Sequence, residues 1–402
     1  MKFNPCKISA VLGLAGALSF AALPGQAAED KVVIGHLTDM SSSYAALDGR
    51  DGAMAIQMAI DDFGGTLNGK PIVLLSEDHQ NKADIAATRA RQWMDTEGLD
   101  LLIAGTNSAA GLAMGKIAED KKRLMIANGP GTSALTNEQC SPYTIHYAWD
   151  TVALAKGTAN ALIKQGFKDW YFLAADYAFG EALVNDAKKV IEANGGKVVG
   201  TVKHPLGALD FSSFLLQAQS SGAEILGIAN GGADMINALK MAREFGIDRS
   251  MKVASLMLFL IDVHSMGLEE AQGLLFTTSW DWSVSDEARE FGRRFYEKAQ
   301  RMPTDIQAAN YSATMQWLKA AQELGTTDAD QIREWFRKTP LKDFYGEGYV
   351  RDDGRYVHNM YLVQVKSPSE SKEPWDYVST VAVMPGEEVF TTKEESRCKL
   401  WK

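Results

Sequence analysis

Short apolar runs rich in Val, Ile and Leu alternate along this chain with longer stretches of helical period, the pattern of βα units laid on a parallel sheet. Strands are predicted over 31–37, 71–78, 99–106 and 123–129, with helices over 52–65, 85–98 and 108–122 between them. A second series opens after Tyr147-Ala148-Trp149-Asp150. Its helices fall over 151–165, 180–196, 210–222 and 233–246, and its strands over 169–176, 197–203, 223–230 and 252–258. Two series with one grammar predict two Rossmann-like α/β lobes rather than one large sheet. After a strand over 273–280 the pattern turns to helices near 284–300, 306–325 and 328–338, and two β-like runs over 345–353 and 357–366 are expected to close the chain. A chain ordered in this way is one that crosses back between its lobes.

The first 28 residues set the compartment. Met1-Lys2 and Lys7 make a basic start, Ile8 to Leu23 is uncharged and rich in Ala, Leu and Gly, and Pro24 to Ala28 supplies small residues for cleavage. That is the form of a secretory signal peptide (1–28), too short to span a bilayer and with its only cysteine, Cys6, on the wrong side for lipidation. Cleavage takes Lys2 and Lys7 from the 41 bases and none of the 51 acids, so the formal charge moves from −10 to −12. An exported chain this acidic is a poor partner for nucleic acid or an anionic lipid surface. Cys140 and Cys398 remain, and in an oxidising compartment a lone pair reads as a disulfide; two unpaired buried thiols are the alternative.

Signals for catalysis are weak. The six histidines never take metal-ligand spacing with a second His or a Cys, and there is no nucleophile elbow. Gly129-Pro130-Gly131-Thr132-Ser133-Ala134 fits a dinucleotide fingerprint in letters, but Pro130 stands between the glycines and no long helix follows. No catalytic residue, metal or cofactor is therefore assigned. The same loops suit ligand binding, because ligands of open α/β sheets lie beyond the carboxyl ends of strands, where helix N-termini offer free N–H groups. Asn107 and Ser108 end one strand and open a helix, while Gly129, Gly131 and Thr132 end the next, and together they would cradle a carboxylate. Ser108 is equally accounted for as a helix cap. Tyr177 and Phe179 in Asp176 to Gly180, with Asn230 before Gly231-Gly232, supply ring area and an amide on the second lobe; core packing competes for both rings.

In this order, Ser41 to Tyr44 with Gly49, Gly52 to Ala55, Gly105 to Ser108, the D-x-x-[YF]-G run Asp176 to Gly180, Asp210 to Ser213 and Asn230 resemble a type I periplasmic substrate-binding protein. The family is that of the leucine/isoleucine/valine-binding proteins of ABC importers, and the resemblance covers the whole mature chain. It implies a hinge of three crossings, near 146–150, 273–282 and 348–358. It also implies lobe 1 over 29–148 plus 278–352, and lobe 2 over 149–277 plus 353–402 with a tail possibly tied to lobe 1. A ligand would lie between them, its carboxylate on Asn107, Ser108 and the Gly129 to Thr132 loop, with Tyr44 and Phe179 at aromatic positions of the family site.

One departure bears on the ligand. Amino-acid-binding members hold the α-ammonium on an acid near the end of the strand predicted over 252–258, whereas Ala254 to Ile261 has none and Asp262 lies too far along. A carboxylate without an amine, such as an aromatic or 2-keto acid, is therefore expected in preference to an amino acid. The expectation is a monomeric periplasmic receptor for a small organic carboxylate that closes like a hinge and docks on a membrane permease. The alternatives are an exported enzyme acting in the same cleft and a sensory subunit of a membrane receptor.

Overall fold

The computed structural model describes Met1 and residues 30–401. The expected signal segment otherwise lies outside the described residues. The first series runs β1 (Val32–Thr38), α1 (Gly49–Phe63), β2 (Thr66–Leu67), β3 (Lys70–Asp78), α2 (Ala83–Gln92), β4 (Leu101–Ala104), α3 (Ser108–Lys121), β5 (Leu124–Ala127) and β6 (Thr144–His146). Its strands form one sheet in the order β2-β3-β1-β4-β5-β6, parallel apart from the β2 hairpin. Side chains of a strand alternate between faces, and both faces here are apolar. Val33, Leu37, Leu102 and Met125 pack with Trp93 and Met114 on one side, and Ile34, Leu101, Ile103 and Ile126 join the larger core on the other.

The second series is α4 (Thr151–Lys164), β7 (Asp169–Ala175), α5 (Ala178–Ala193), β8 (Lys197–His204), α6 (Ser212–Ser220), β9 (Ile225–Ala229), α7 (Ala233–Glu244) and β10 (Lys252–Ser255). It makes a second parallel sheet, β10-β9-β7-β8. There follow α8 (Leu260–Met266), α9 (Leu268–Ala271), β11 (Leu275–Thr278), α10 (Asp286–Ala299), α11 (Asp305–Leu324), α12 (Ala329–Lys338), β12 (Leu341–Asp343), β13 (Gly346–Val350), β14 (Tyr356–His358), β15 (Met360–Val365), β16 (Val378–Met384) and α13 (Gly386–Val389). Antiparallel sheets β11-β15-β16 and β12-β13-β14 flank the second and first sheets respectively.

The architecture is two α/β lobes, each built on a largely parallel sheet, as the two series predict. Strands β4, β5, β7, β9, β10 and β11 are shorter than the apolar runs that announce them, whereas β1 keeps the expected length and β3 and β8 each run one residue longer. The helix expected over 85–98 ends in a π-turn at Trp93–Glu97, which turns Trp93 into the core. The chain does not close on the run at 357–366: β16 and α13 follow it. The sequence reading missed them behind the polar stretch 367–374. No helix among the described residues is long and apolar enough to cross a membrane.

Buried polar bonds bind the passing segments together. The Arg355 guanidinium donates to the carbonyls of Tyr147, Ala148 and Tyr356, and His358 Nε2 lies 2.7 Å from Ala148 O. Near β11, Asp305 accepts from Thr278 Oγ1 at 3.1 Å and from Ser279 Oγ at 2.8 Å. Cys140 and Cys398 are joined by a disulfide, Cα atoms 5.6 Å apart, which fastens the C-terminal tail beside the turn Ser133–Thr136.

Candidate functional site

Every loop of the candidate site leaves the carboxyl end of a strand or lies on a passing segment. After β1, buried Asp39 accepts from Ser42 N–H and Tyr44 N–H, each at 2.9 Å, and from Ser42 Oγ at 2.6 Å. Those bonds fold residues 39–44 into a tight loop that presents the Tyr44 ring. After β4, Asn107 takes φ 68°, a left-handed conformation that Asn tolerates better than most residues, and its Oδ1 caps α3 by accepting from Ala110 N–H at 2.8 Å. After β5, Thr132 N–H donates to Ser108 Oγ at 3.1 Å, locking the glycine loop to the start of α3. Ser108 therefore spends one lone pair within the protein and keeps its own proton for another acceptor.

These loops enclose a small cavity against the second lobe. It is lined on one side by Tyr44, Leu47, Thr106, Asn107, Ser108, Gly129 and Ile306, and on the other by Tyr177, Phe179 and Met257, with Trp149 between them. Its free volume is about 10 Å³, room for one water molecule. Of the residues expected from sequence, Tyr44, Asn107, Ser108, Gly129, Tyr177 and Phe179 come together here. Three stand behind it. Gly131 packs under Trp149, where a Cβ would approach the ring to 2.2 Å; Thr132 braces Ser108; and Asn230 bonds His204 at 3.0 Å.

Trp149, Met257, Leu47, Thr106 and Ile306 also line the cavity and were not singled out. Trp149 sits in the Tyr147 to Asp150 run that marks the change of series, and Met257 follows the end of β10, so both had a positional signal. Ile306 arrives from α11, distant in sequence, and had none.

The two walls touch through their rims. Tyr44 OH and Tyr177 OH share a 2.7 Å hydrogen bond, and Ala233 N–H at the start of α7 donates to Ser43 O at 3.2 Å. Burial raises both phenol pKa values well above the ordinary tyrosine range, so the pair stays protonated.

No acid lines this cavity. Asp176 is exposed and paired with Lys203 at 3.2 Å. Asp234 receives Gly207 N–H at 3.0 Å, and burial pushes its carboxyl up to about 6. Asp262 is buried in the first turn of α8, accepts Phe259 N–H at 3.0 Å, and is pushed up by burial to about 7. A carboxyl raised in the folded state contributes stability that is full below its ordinary value and lost as pH climbs through about 7. Asp262→Asn keeps an oxygen for Phe259 N–H and removes the charge. It should therefore raise stability at pH 8 by on the order of 1–3 kcal/mol and change little at pH 4, as read by urea unfolding at the two pH values. Equal effects at both would contradict the burial argument.

A larger groove of about 550 Å³ lies elsewhere, between α4, α5, the turn near Ser133 and the tail. Its cations are already matched by acids, Lys156 to Glu395, Lys189 to Asp186 and Arg397 to Glu138, and it is not at a strand's carboxyl end. The smaller cavity is the better site on physical grounds. Among the described residues no group of three His, Cys, Asp or Glu is placed to hold a metal ion.

Two α/β lobes whose strand ends face one another across a cavity lined with donors and rings define a two-lobed solute-binding protein. The chain belongs to the periplasmic binding protein family, whose model matches residues 31–372. It is similar to a periplasmic binding protein from Burkholderia mallei, at 57% identity and TM-score 0.92 over 93% of this chain and 100% of that one. It is also similar to a branched chain amino acid ABC transporter periplasmic ligand-binding protein from Burkholderia xenovorans, at 37% identity and TM-score 0.82 over 92% and 100%. The fold is shared with a solute-binding protein of an ABC transporter from R. palustris in complex with benzoate, at 19% identity and TM-score 0.81 over 92% and 100%.

Proposed function

We propose that this chain is the periplasmic receptor of an ABC importer for a small organic carboxylate, with aromatic and 2-keto acids ahead of amino acids. Lobe 1 (29–148 plus 278–352) and lobe 2 (149–277 plus 353–402) close on the ligand, and a membrane permease receives the closed form. One observation carries the ligand class: the cavity offers the Ser108 hydroxyl at the N-terminus of α3 on one side and the rings of Tyr177 and Phe179 on the other, with no acidic side chain in its lining. Helix N-termini favour anions, and rings favour a flat apolar body. The benzoate complex of a neighbour with this fold points the same way.

The closed cavity is smaller than such a ligand, so entry requires the Tyr44 and Tyr177 hydroxyls to part. Binding energy is then spent on holding the lobes around the guest, which is how a ligand shifts a population.

Ser108→Ala removes a charge-assisted hydrogen bond. Affinity for the preferred carboxylate should fall about ten- to a hundredfold, measured by calorimetric titration with benzoate and phenylpyruvate. Mass spectrometry of small molecules released from purified protein should find a carboxylic acid. Tight binding of a compound without a carboxylate, undiminished by Ser108→Ala, would overturn the reading.

A further inference from the structure

Trp149 occupies an unusual place, since it belongs to the segment joining the two series and yet lines the cavity between them. Its side chain is only 2% exposed, and its indole N–H has no hydrogen-bond acceptor among the described residues. A buried donor left unpaired is costly and uncommon in native proteins. The ring's orientation narrows the options. A Cβ on Gly131 would meet Trp149 at Cζ3 and Cη2, so the six-membered edge faces the glycine loop and the N–H edge is turned away from it. Phe179 and Phe259 hold the ring edge-on and tilted, with centroids 6.3 and 6.0 Å away.

We infer that Trp149 is a specificity-determining residue whose indole N–H donates to a second oxygen of the ligand, one other than the carboxylate. The inference rests on the carboxylate reading above. If the carboxylate lies on the Ser108 hydroxyl at the start of α3, the Trp149 N–H edge, turned away from the glycine loop, addresses the other end of the guest. The ligand class is then an aromatic acid bearing a hydroxyl or keto oxygen, rather than a plain hydrocarbon acid. Because the residue sits on a passing segment, the same bond ties the ligand to the backbone that both lobes share.

The test compares benzoate with 3-hydroxybenzoate and 4-hydroxybenzoate on the full mature protein by calorimetry. In the unaltered protein at least one hydroxybenzoate should bind about five- to tenfold more tightly than benzoate. Trp149→Phe should erase that advantage, so that whatever the absolute loss of affinity, benzoate and the hydroxybenzoates bind within about twofold of one another. Should Trp149→Phe fold poorly, replacement of Trp149 by 3-benzothienylalanine removes the N–H and keeps the ring, with the same expectation. Equal weakening of all three ligands, or no hydroxyl advantage in the unaltered protein, overturns the role of Trp149 while leaving the carboxylate reading standing. Failure of every aromatic acid to bind the unaltered protein overturns both together.

Discussion

Replacing Arg355 with methionine should cost about 3–5 kcal/mol of stability, the range found when one partner of a buried ion pair is removed. The reason lies in how many groups depend on this one side chain. Arg355 is fully buried, donates to the carbonyls of Tyr147, Ala148 and Tyr356, and stands 3.8 Å from the equally buried Asp150. Burial pulls its own pKa down to about 10 against the attraction of Asp150, so it remains charged at neutral pH. Methionine removes these three hydrogen bonds, leaves only the His358 imidazole beside the Tyr147 and Ala148 carbonyls, and takes the nearest guanidinium from Asp150. Thermal unfolding should shift downward by roughly 5 °C. A loss under about 1 kcal/mol in urea titration would show that water replaces the guanidinium, and that the junction is not held in the way described.

The second large effect concerns the amine. Phenylpyruvate should bind at least about a hundredfold more tightly than phenylalanine, and the 2-keto relative of leucine more tightly than leucine, because an ammonium buried without a counter-charge costs several kcal/mol. Neither Asp234 nor Asp262 lines the cavity, and both have carboxyls that burial pushes toward the neutral form, which weakens them further as ammonium partners. Matched titrations by calorimetry decide the matter. Tighter binding of either amino acid would mean that opening or closing brings an acid to the ligand.

What could be read from the sequence follows the range of the forces involved. Strand and helix order was legible because burial on both faces of a parallel sheet leaves continuous apolar runs, as in the strands around Ile34, Ile103 and Ile126. Tyr44, Asn107, Ser108, Gly129, Tyr177 and Phe179 were legible because each follows the carboxyl end of a strand, a position defined by local order. Ile306 and the pairing of Asn128 with Asn310, 2.6 Å apart, were not, since they depend on α11 packing against the first sheet from far along the chain. Arg355 was equally hidden: in sequence it is one more cation after an acidic pair, and only the fold encloses it.

The glycine loop has a consequence for how such a receptor could change its diet. A Cβ on Gly129 would lie 1.9 Å from the Gly105 carbonyl, and one on Gly131 would strike the buried Trp149 ring, so neither glycine can gain a side chain without displacing backbone or that ring. The facing wall is built from the interchangeable side chains Tyr177, Phe179 and Met257. On the proposed reading, descendants of this protein can acquire new cargo by exchanging residues on the second lobe, while inheriting intact the wall of the first on which the carboxylate is proposed to lie.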